Sequence, residues 1–123
     1  MKYDDLIFEG EYLNGQRNGN GKEYYDFGEL RFEGEYLNGK RNGKGKEYFE
    51  NGKLKFEGEY LNGKRNGKGK QYNLSGNLRF EGEYLNGNRW NGKEKEFGYD
   101  DKLIFEGEYL NGKEIKKQFC IIF

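Results

Sequence analysis

The sequence predicts an all-β protein, a single-layer solenoid of about five consecutive antiparallel β-hairpins with a 24-residue repeat. One phenylalanine recurs along the whole chain, as Phe8, Phe32, Phe56, Phe80 and Phe105, and a fixed period of this kind marks a repeat architecture. Around each phenylalanine, apolar and charged residues alternate, which is the period of a strand with one buried face. An Asn-Gly pair follows each such strand, where a tight reversal is needed.

Each element of one repeat can be assigned in order. Residues 30–37 form the first predicted strand, and residues 38–43 contain two Asn-Gly pairs that suit a reversal between antiparallel strands. Residues 44–48 form the second strand, and residues 50–53 turn the chain back toward the next copy. Each repeat is therefore predicted to be one hairpin.

Two glycines explain how so polar a repeat can pack. Gly34 and Gly45 leave gaps in the pleated surface, and we expect aromatic rings from the neighbouring hairpin to lie over them. Tyr48 follows Gly45 by three residues, so strict alternation would place it on the opposite face. We therefore predict a β-bulge between Gly45 and Tyr48.

Composition limits the function classes. The chain has 123 residues, of which 33% are hydrophobic and 18% aromatic, and its 22 basic residues balance 22 acidic ones. A hairpin with so few apolar residues must be stabilised by its neighbours, as in other solenoids. Zero net charge argues against a nucleic-acid partner, which requires a basic face. Interleaved Glu and Lys on paired strands instead predict cross-strand charge ladders.

The domain prediction is an array over residues 1–112 and a basic, apolar C-terminal tail over residues 113–123. No stretch is long or apolar enough for a transmembrane helix or a signal-peptide core. We therefore expect a cytoplasmic protein. Its single cysteine excludes an internal disulfide.

Basic residues recur beside the Asn-Gly turns. These candidate contacts for a partner or for lipid are Arg17, Lys40, Arg41, Lys64 and Arg65. If they stack at the tips of successive loops, they form a stripe that suits an anionic surface. The alternative is that they are ordinary solvent contacts at turns.

The fourth copy departs from the pattern. Trp90 is an extra residue that lengthens this repeat, and Glu94 stands where the other copies have glycine. In a widened loop, Trp90 is a candidate anchor for a partner, because aromatic residues dominate binding hot spots. The alternative is that it folds back over the sheet and fills the irregularity that it creates.

The unit Phe56-Glu-Gly-Glu-Tyr60, followed by Asn62-Gly-Lys-Arg-Asn-Gly-Lys-Gly69, resembles the MORN repeat. The chain is also similar to the bacterial MORN-variant proteins often labelled antitoxins. The resemblance implies elongated, twisted arrays of hairpins that act as scaffolds, dimerise and, in some members, lie at membranes. It covers nearly all of residues 3 to 112.

The residue inventory argues against an enzyme. Without histidine, and with one serine (Ser75) and one cysteine (Cys120), the chain cannot build a Ser-His-Asp or Cys-His site or a metal site with nitrogen and sulfur ligands. We predict no cofactor, no metal and no small-molecule substrate. Asp100 and Asp101 are interpreted as turn residues rather than calcium ligands.

Two functions remain open. The first is a non-enzymatic scaffold that binds a protein partner or a second copy of itself through its sheet and its open edges. The second is a bacterial antitoxin-like binding protein, which the composition permits because Lys, Asn, Tyr, Phe and Glu are enriched in AT-rich genomes of several kinds.

The last four residues, Cys120-Ile-Ile-Phe123, match the prenylation box, and the terminal phenylalanine favours a geranylgeranyl group. A single lipid chain needs a second attachment signal. Three tail lysines would provide it at an anionic membrane: Lys113, Lys116 and Lys117. The alternative is structural, with residues 119–123 closing the open edge of the last hairpin.

Overall fold

The computed structural model describes residues 7–119, with side chains as far as residue 115. The described residues form ten strands, which are Ile7–Leu13, Gln16–Tyr24, Leu30–Leu37, Lys40–Tyr48, Leu54–Leu61, Lys64–Tyr72, Leu78–Leu85, Asn88–Phe97, Leu103–Leu110 and Lys113–Phe119, numbered β1 to β10. They form one open antiparallel sheet whose strand order follows the chain. The predicted all-β array of hairpins is confirmed. Among these residues no helix is long and apolar enough to cross a membrane.

Asn-Gly turns join the two strands of each hairpin. In the second hairpin, Asn38 and Gly39 have φ angles of 51° and 85°, the pair of positive values that a type I′ turn requires. Successive turns are linked, because the Gly63 amide donates a hydrogen bond of 2.8 Å to the Arg41 carbonyl oxygen of the preceding hairpin. The tips of the hairpins therefore form one continuous row along a long edge of the sheet.

A ladder of aromatic rings on one face of the sheet forms the core. The central cluster of buried rings is Phe32, Tyr36, Phe56, Tyr60, Phe80 and Tyr84, and Phe105 is buried as well. Each ring meets the next edge to face, and the Phe32 and Tyr60 centroids, for example, lie 5.3 Å apart at an interplanar angle of 87°. This geometry matches the ring quadrupoles. We call this surface the aromatic face.

Glycines lie beneath the rings, which come from the glycines' own hairpin as well as from the predicted neighbouring one. Gly45 pairs with Gly34 on one side and with Gly58 on the other. A Cβ atom added to Gly45 would lie 2.6 Å from a ring carbon of Phe32 and 3.0 Å from one of Tyr60. Because real Cβ atoms do not approach other atoms so closely, only glycine lets the rings rest on the backbone.

The predicted β-bulge between Gly45 and Tyr48 is wrong about the strand and about the effect on Tyr48. The register shifts between Glu47 and Tyr48, but the extra residue is Lys55 on the neighbouring strand β5. The Tyr48 hydroxyl donates a hydrogen bond of 2.5 Å to Glu33, which alternates with Phe32 and Gly34 and so lies on the opposite face. Strict alternation therefore holds from Gly45 to Tyr48.

The fifth hairpin has a second strand. Residues 113–119, assigned to a tail by the sequence, form β10 and pair with β9, so that Phe119 lies opposite Phe105. The backbone pairing of the array thus continues beyond residue 112. Cys120 lies outside the described residues.

Candidate interaction surface

Arginines on the second strands bridge neighbouring hairpins on the aromatic face. The Arg41 guanidinium lies 3.9 Å above the centroid of the Phe32 ring in its own hairpin. It also donates hydrogen bonds of 2.9 and 3.1 Å to the two carboxylate oxygens of Glu23 in the preceding hairpin. Such bidentate pairs are both strong and specific in geometry. We call this arrangement an Arg–Glu socket.

The next socket repeats the arrangement. Arg65 lies above Phe56 and donates two hydrogen bonds of 3.0 Å to Glu47, and the Tyr60 hydroxyl donates to the same carboxylate. Burial alone would raise the pKa of Glu47, but the hydrogen bond and the charge of Arg65 outweigh it and hold the pKa below its usual value. The Glu23 carboxyl behaves in the same way, since its bonds from Arg41 and Tyr36 overcome burial and lower its pKa.

The pKa values of the socket tyrosines are raised, whereas those of the socket glutamates are lowered. Burial and then the adjacent Glu47 carboxylate raise the pKa of Tyr60 well above its usual value. Burial and Glu23 do the same to Tyr36. These hydroxyls therefore remain protonated donors over the whole physiological range, and the sockets are fixed structural units.

The predicted basic stripe is placed differently by the structure. Arg41 and Arg65 lie within strands β4 and β6 and are held in sockets, so they are not at loop tips. Arg17 stands over the Phe8 ring at 4.1 Å in the first hairpin. Lys40 and Lys64 are the first residues of β4 and β6 and are exposed. The accessible part of the stripe is therefore formed by these two lysines.

The opposite face carries the predicted charge ladders. Lys46 lies between Glu33 and Glu57 on the neighbouring strands, and Lys44 lies opposite Glu59. Glutamates and lysines in these two rows border an open trough of about 1180 Å³ whose floor is the backbone of the glycine row. We call it the charged trough.

Tyrosine hydroxyls brace one side of the charged trough. Tyr48 donates to Glu33, and Tyr72 donates a hydrogen bond of 3.1 Å to Glu57. Burial, followed by the bond to Glu33, raises the pKa of Tyr48 to about 12. These bonds fix the orientation of glutamates that would otherwise rotate in solvent.

The MORN repeat model matches residues 8–26, 32–53 and 56–77, which together exceed half of the chain. The matched segments coincide with the first three hairpins, including both Arg–Glu sockets. The chain belongs to the MORN repeat family. No curated protein matches it significantly. MORN repeats are generally found in scaffold or membrane-associated interaction proteins, and the family is typically non-enzymatic.

The fourth and fifth MORN hairpins follow the same fold with a changed register. Glu94 on β8 lies opposite Phe80 on β7, as Glu47 lies opposite Phe32, but on its other side it lies opposite Gly107. In the inner hairpins, a glycine occupies the position that faces this second glycine. The glycine row therefore breaks between β8 and β9, where Glu94 takes the place of a glycine.

Trp90 lies within strand β8 and not in a widened loop. A Cβ atom added to Gly112 would be 3.0 Å from the indole ring, and the Gly112 amide donates a hydrogen bond of 2.8 Å to the Trp90 carbonyl oxygen. The half-buried ring thus packs on the next Asn-Gly turn. Its role as a partner contact stays a prediction.

The broken glycine row brings three carboxyl groups together. One oxygen from each of Glu94, Glu96 and Glu114 lies within 4.8 Å of the other two. Burial first, and then the adjacent Glu114 carboxyl group, raise the pKa of Glu94 to about 7. Arg89 contacts the same carboxylate at 3.3 Å. This acidic cluster was not predicted from the sequence.

The predicted membrane-proximal lysines are on or near β10. Lys113 is exposed and begins the strand, in the place that Lys40 takes in the second hairpin. Lys116 and Lys117 belong to the backbone of β10, and their side chains lie outside the described part of the structure. The predicted lipidation site, Cys120, lies there as well.

Sequence reasoning missed the socket glutamates. Glu23 and Glu47 each precede their arginine by 18 residues, a spacing that the 24-residue period conceals. A comparison of second strands with second strands would have found the recurring acid–base pair.

Proposed function

We propose that this protein is a non-enzymatic scaffold that binds a protein partner in its charged trough and is attached to the cytosolic face of a membrane. The charged trough is chosen over the aromatic face because of a difference in how their side chains are held. The arginines and tyrosines of the aromatic face are held by internal hydrogen bonds, whereas the opposite face presents ordered rows of Lys and Glu around an open trough. A surface of fixed alternating charges favours a partner with complementary charges in the same order.

The trough is suited to an extended segment of a partner. Its floor is backbone without side chains, and the strand spacing sets a repeat of ~4.8 Å between successive charges along each row. Lys46 and Lys70 lie in the same row, separated by Glu57. A partner segment that carries both positive and negative charges would therefore meet opposite charges along each row.

The partner proposal is tested by charge reversal within the trough. We expect affinity purification from the native host to recover a protein with the wild-type chain and to lose it with the double variant Lys46→Glu, Lys70→Glu. Circular dichroism must show that both chains are folded. Equal recovery of the same protein by both chains would refute the trough as the binding surface.

A second copy of the chain is the alternative occupant. The outer strands β1 and β10 each pair with one neighbour in the described sheet, and unpaired strand edges favour association. Sedimentation equilibrium distinguishes the two cases. A dimer that the trough variant abolishes would identify a second copy of the chain as the occupant.

Attachment to the membrane is proposed from the prenylation box at Cys120 together with the lysine row. The exposed lysines at the hairpin tips, Lys40, Lys64 and Lys113, lie along one edge of the sheet, and each contributes ~1 kcal/mol near an anionic leaflet. A lipid chain at Cys120 would supply the second attachment.

Lipidation is tested in the native host by intact mass and by membrane fractionation. We expect the wild type to carry a geranylgeranyl group and to sediment with membranes, and Cys120→Ser to remain in the supernatant. Equal partition of both proteins would refute the tether. Flotation with phosphatidylserine vesicles measures the lysine contribution separately, and we expect Lys40→Glu with Lys64→Glu to reduce it.

A further inference from the structure

The last hairpin reverses the charge of the Arg–Glu socket. In the second hairpin, Arg41 lies opposite Tyr36, and Glu23 of the preceding strand lies opposite Phe32. In the fifth hairpin the residue opposite Tyr109 is Glu114, and the residue opposite Phe105 is Glu96. Where the inner hairpins place a guanidinium against a carboxylate, the last one places two carboxylates.

A third carboxylate enters the same site from β8. Glu94 is only 3% exposed, and its Oε1 atom lies 3.3 Å from Arg89. Its Oε2 atom is buried and has no hydrogen-bond partner among the described residues. A buried carboxylate oxygen without a partner is costly, and each such atom calls for an explanation.

The direction of this oxygen indicates where a ligand would lie. Oε2 is 3.2 Å from the position of a Cβ atom added to Gly107. Gly107 pairs with Glu94 on one side and with Lys116 of β10 on the other. The oxygen therefore lies over β9 and points toward β10, the strand that carries Glu114.

The donor set selects a hard cation. The three grouped side chains are all carboxyl groups, and one arginine lies beside them. Oxygen ligands bind Ca²⁺ at about 2.4 Å, so two of them on one ion lie at most ~4.8 Å apart, and the three oxygens lie within 4.8 Å of one another. Ca²⁺ accepts irregular sets of oxygen ligands, whereas Mg²⁺ demands near-ideal octahedral geometry and gives up its bound water reluctantly.

We propose that Glu94, Glu96 and Glu114 bind one Ca²⁺ ion at the C-terminal end of the sheet. The ion takes the place of the guanidinium that closes the inner sockets, and it links β8 to β10 across β9. Glu114 is exposed, so water completes the coordination. Because the site is open and Arg89 lies beside it, we expect a dissociation constant of about 10⁻⁴ to 10⁻³ M, as in weak calcium modules.

Calorimetry and thermal unfolding of the full chain test the site. At about 10 mM CaCl₂, against NaCl of equal ionic strength, we expect a single binding event and a rise in Tm of about 5 to 11 °C. MgCl₂ should give a smaller rise.

Three variants assign the effect to this site. Glu114→Arg recreates the inner socket, so it should remove the calcium response and raise Tm in the absence of calcium. Glu94→Gln should also remove the response. Glu50→Gln is the matched control, since this exposed turn residue carries the same charge outside the cluster, and it should keep the wild-type response.

The results of these measurements distinguish a calcium site from the alternatives. Absence of a calcium response in the folded wild-type chain would overturn the proposal, and so would a response that survives in Glu114→Arg. Stabilisation by mild acid without any calcium response would show that a proton occupies the site instead. If Glu94→Gln does not fold, Glu114→Gln replaces it, because its side chain is exposed and its loss leaves the core intact.

Discussion

The third hairpin and the last two share the same repeat, yet different side chains occupy their socket positions on the aromatic face. In the third hairpin, Arg65 meets Glu47 with two hydrogen bonds of 3.0 Å. In the fourth, the partner of Arg89 in the preceding hairpin is a neutral amide, Gln71, at 3.3 Å. In the fifth, Glu114 takes the place of the arginine. The pairing of an arginine with a glutamate of the preceding hairpin is thus present in the third hairpin and absent from the fourth and fifth.

The register explains why the fold tolerates these changes. Glu94 takes the place of Glu47 relative to β7 and the place of Gly45 relative to β9, so β8 is displaced by two residues between its neighbours. Because side chains in a strand alternate with a period of two, a displacement of two residues keeps every side chain on its face. The aromatic ladder therefore continues through β8, and Phe80 still meets Tyr109. Only the charges beneath the rings are rearranged.

The largest effect should come from the centre of the ladder. Phe56 is fully buried and meets the rings of Tyr60 and Tyr84, so we expect Phe56→Ala to lower the free energy of unfolding by about 3 to 5 kcal/mol. Phe8 is only half-buried, and Phe8→Ala should cost less. Urea denaturation measures both, with the exposed Phe27→Ala as control. Equal losses at Phe56 and Phe8 would show that the ladder is not centred on the inner hairpins.

Breaking one socket should be nearly as costly. Arg65→Met leaves Glu47 buried without its cation, and we expect a loss of about 3 kcal/mol, the lower end for a buried pair, because the two side chains remain 20% and 15% exposed. Adding Glu47→Gln should recover much of the loss, since a neutral amide leaves no unpaired charge in the buried site. A double variant no more stable than Arg65→Met would disprove this account of the difference between sockets.

The glycine row should tolerate an added side chain less well in its inner part than at β9. A Cβ atom at Gly58 would lie 2.6 Å from the backbone Cα of Gly69, whereas one at Gly107 would meet side-chain atoms at 3.0 Å or more. Backbone cannot move aside as a side chain can, so Gly58→Ala should cost about 1 to 3 kcal/mol and Gly107→Ala less. Guanidinium denaturation of the two variants gives the ranking, and a reversed order would contradict it.

The sockets also predict a dependence on pH. The folded-state pKa values of Glu23 and Glu47 lie below the usual value of 4.5, so their stabilisation is complete above that value and is lost as the pH falls through the folded-state pKa. Each unit of depression corresponds to about 1.4 kcal/mol. We expect the Tm of Glu47→Gln to fall less steeply below pH 4.5 than that of the wild type. If the Tm of both proteins fell equally steeply with pH, Glu47 would not contribute to the loss of stability in acid.

The sequence was sufficient to predict the strands, the Asn-Gly turns, the glycine row and the Lys and Glu ladders, because each depends on residues that are adjacent or directly paired. The sockets were not predicted because Glu23 and Arg41 belong to different hairpins and meet only through the register. The acidic cluster depends on the displacement of β8, which one inserted residue does not specify. Tyr48 was misplaced because a bulge that lies on β5 was assigned to its own strand.

The smallest change in the free energy of unfolding should come from substitutions in the charged trough, on the face opposite the aromatic ladder. Lys70 and Glu81 lie 3.9 Å apart, with side chains 47% and 57% exposed, and exposed pairs contribute only ~0.2 to 1 kcal/mol. We therefore expect Lys70→Ala to change the free energy of unfolding by less than about 0.5 kcal/mol. Urea denaturation in low and high salt measures the change. If Lys70→Ala destabilised the chain as much as Arg65→Met, the trough charges would be part of the fold, and their proposed availability to a partner would have to be abandoned.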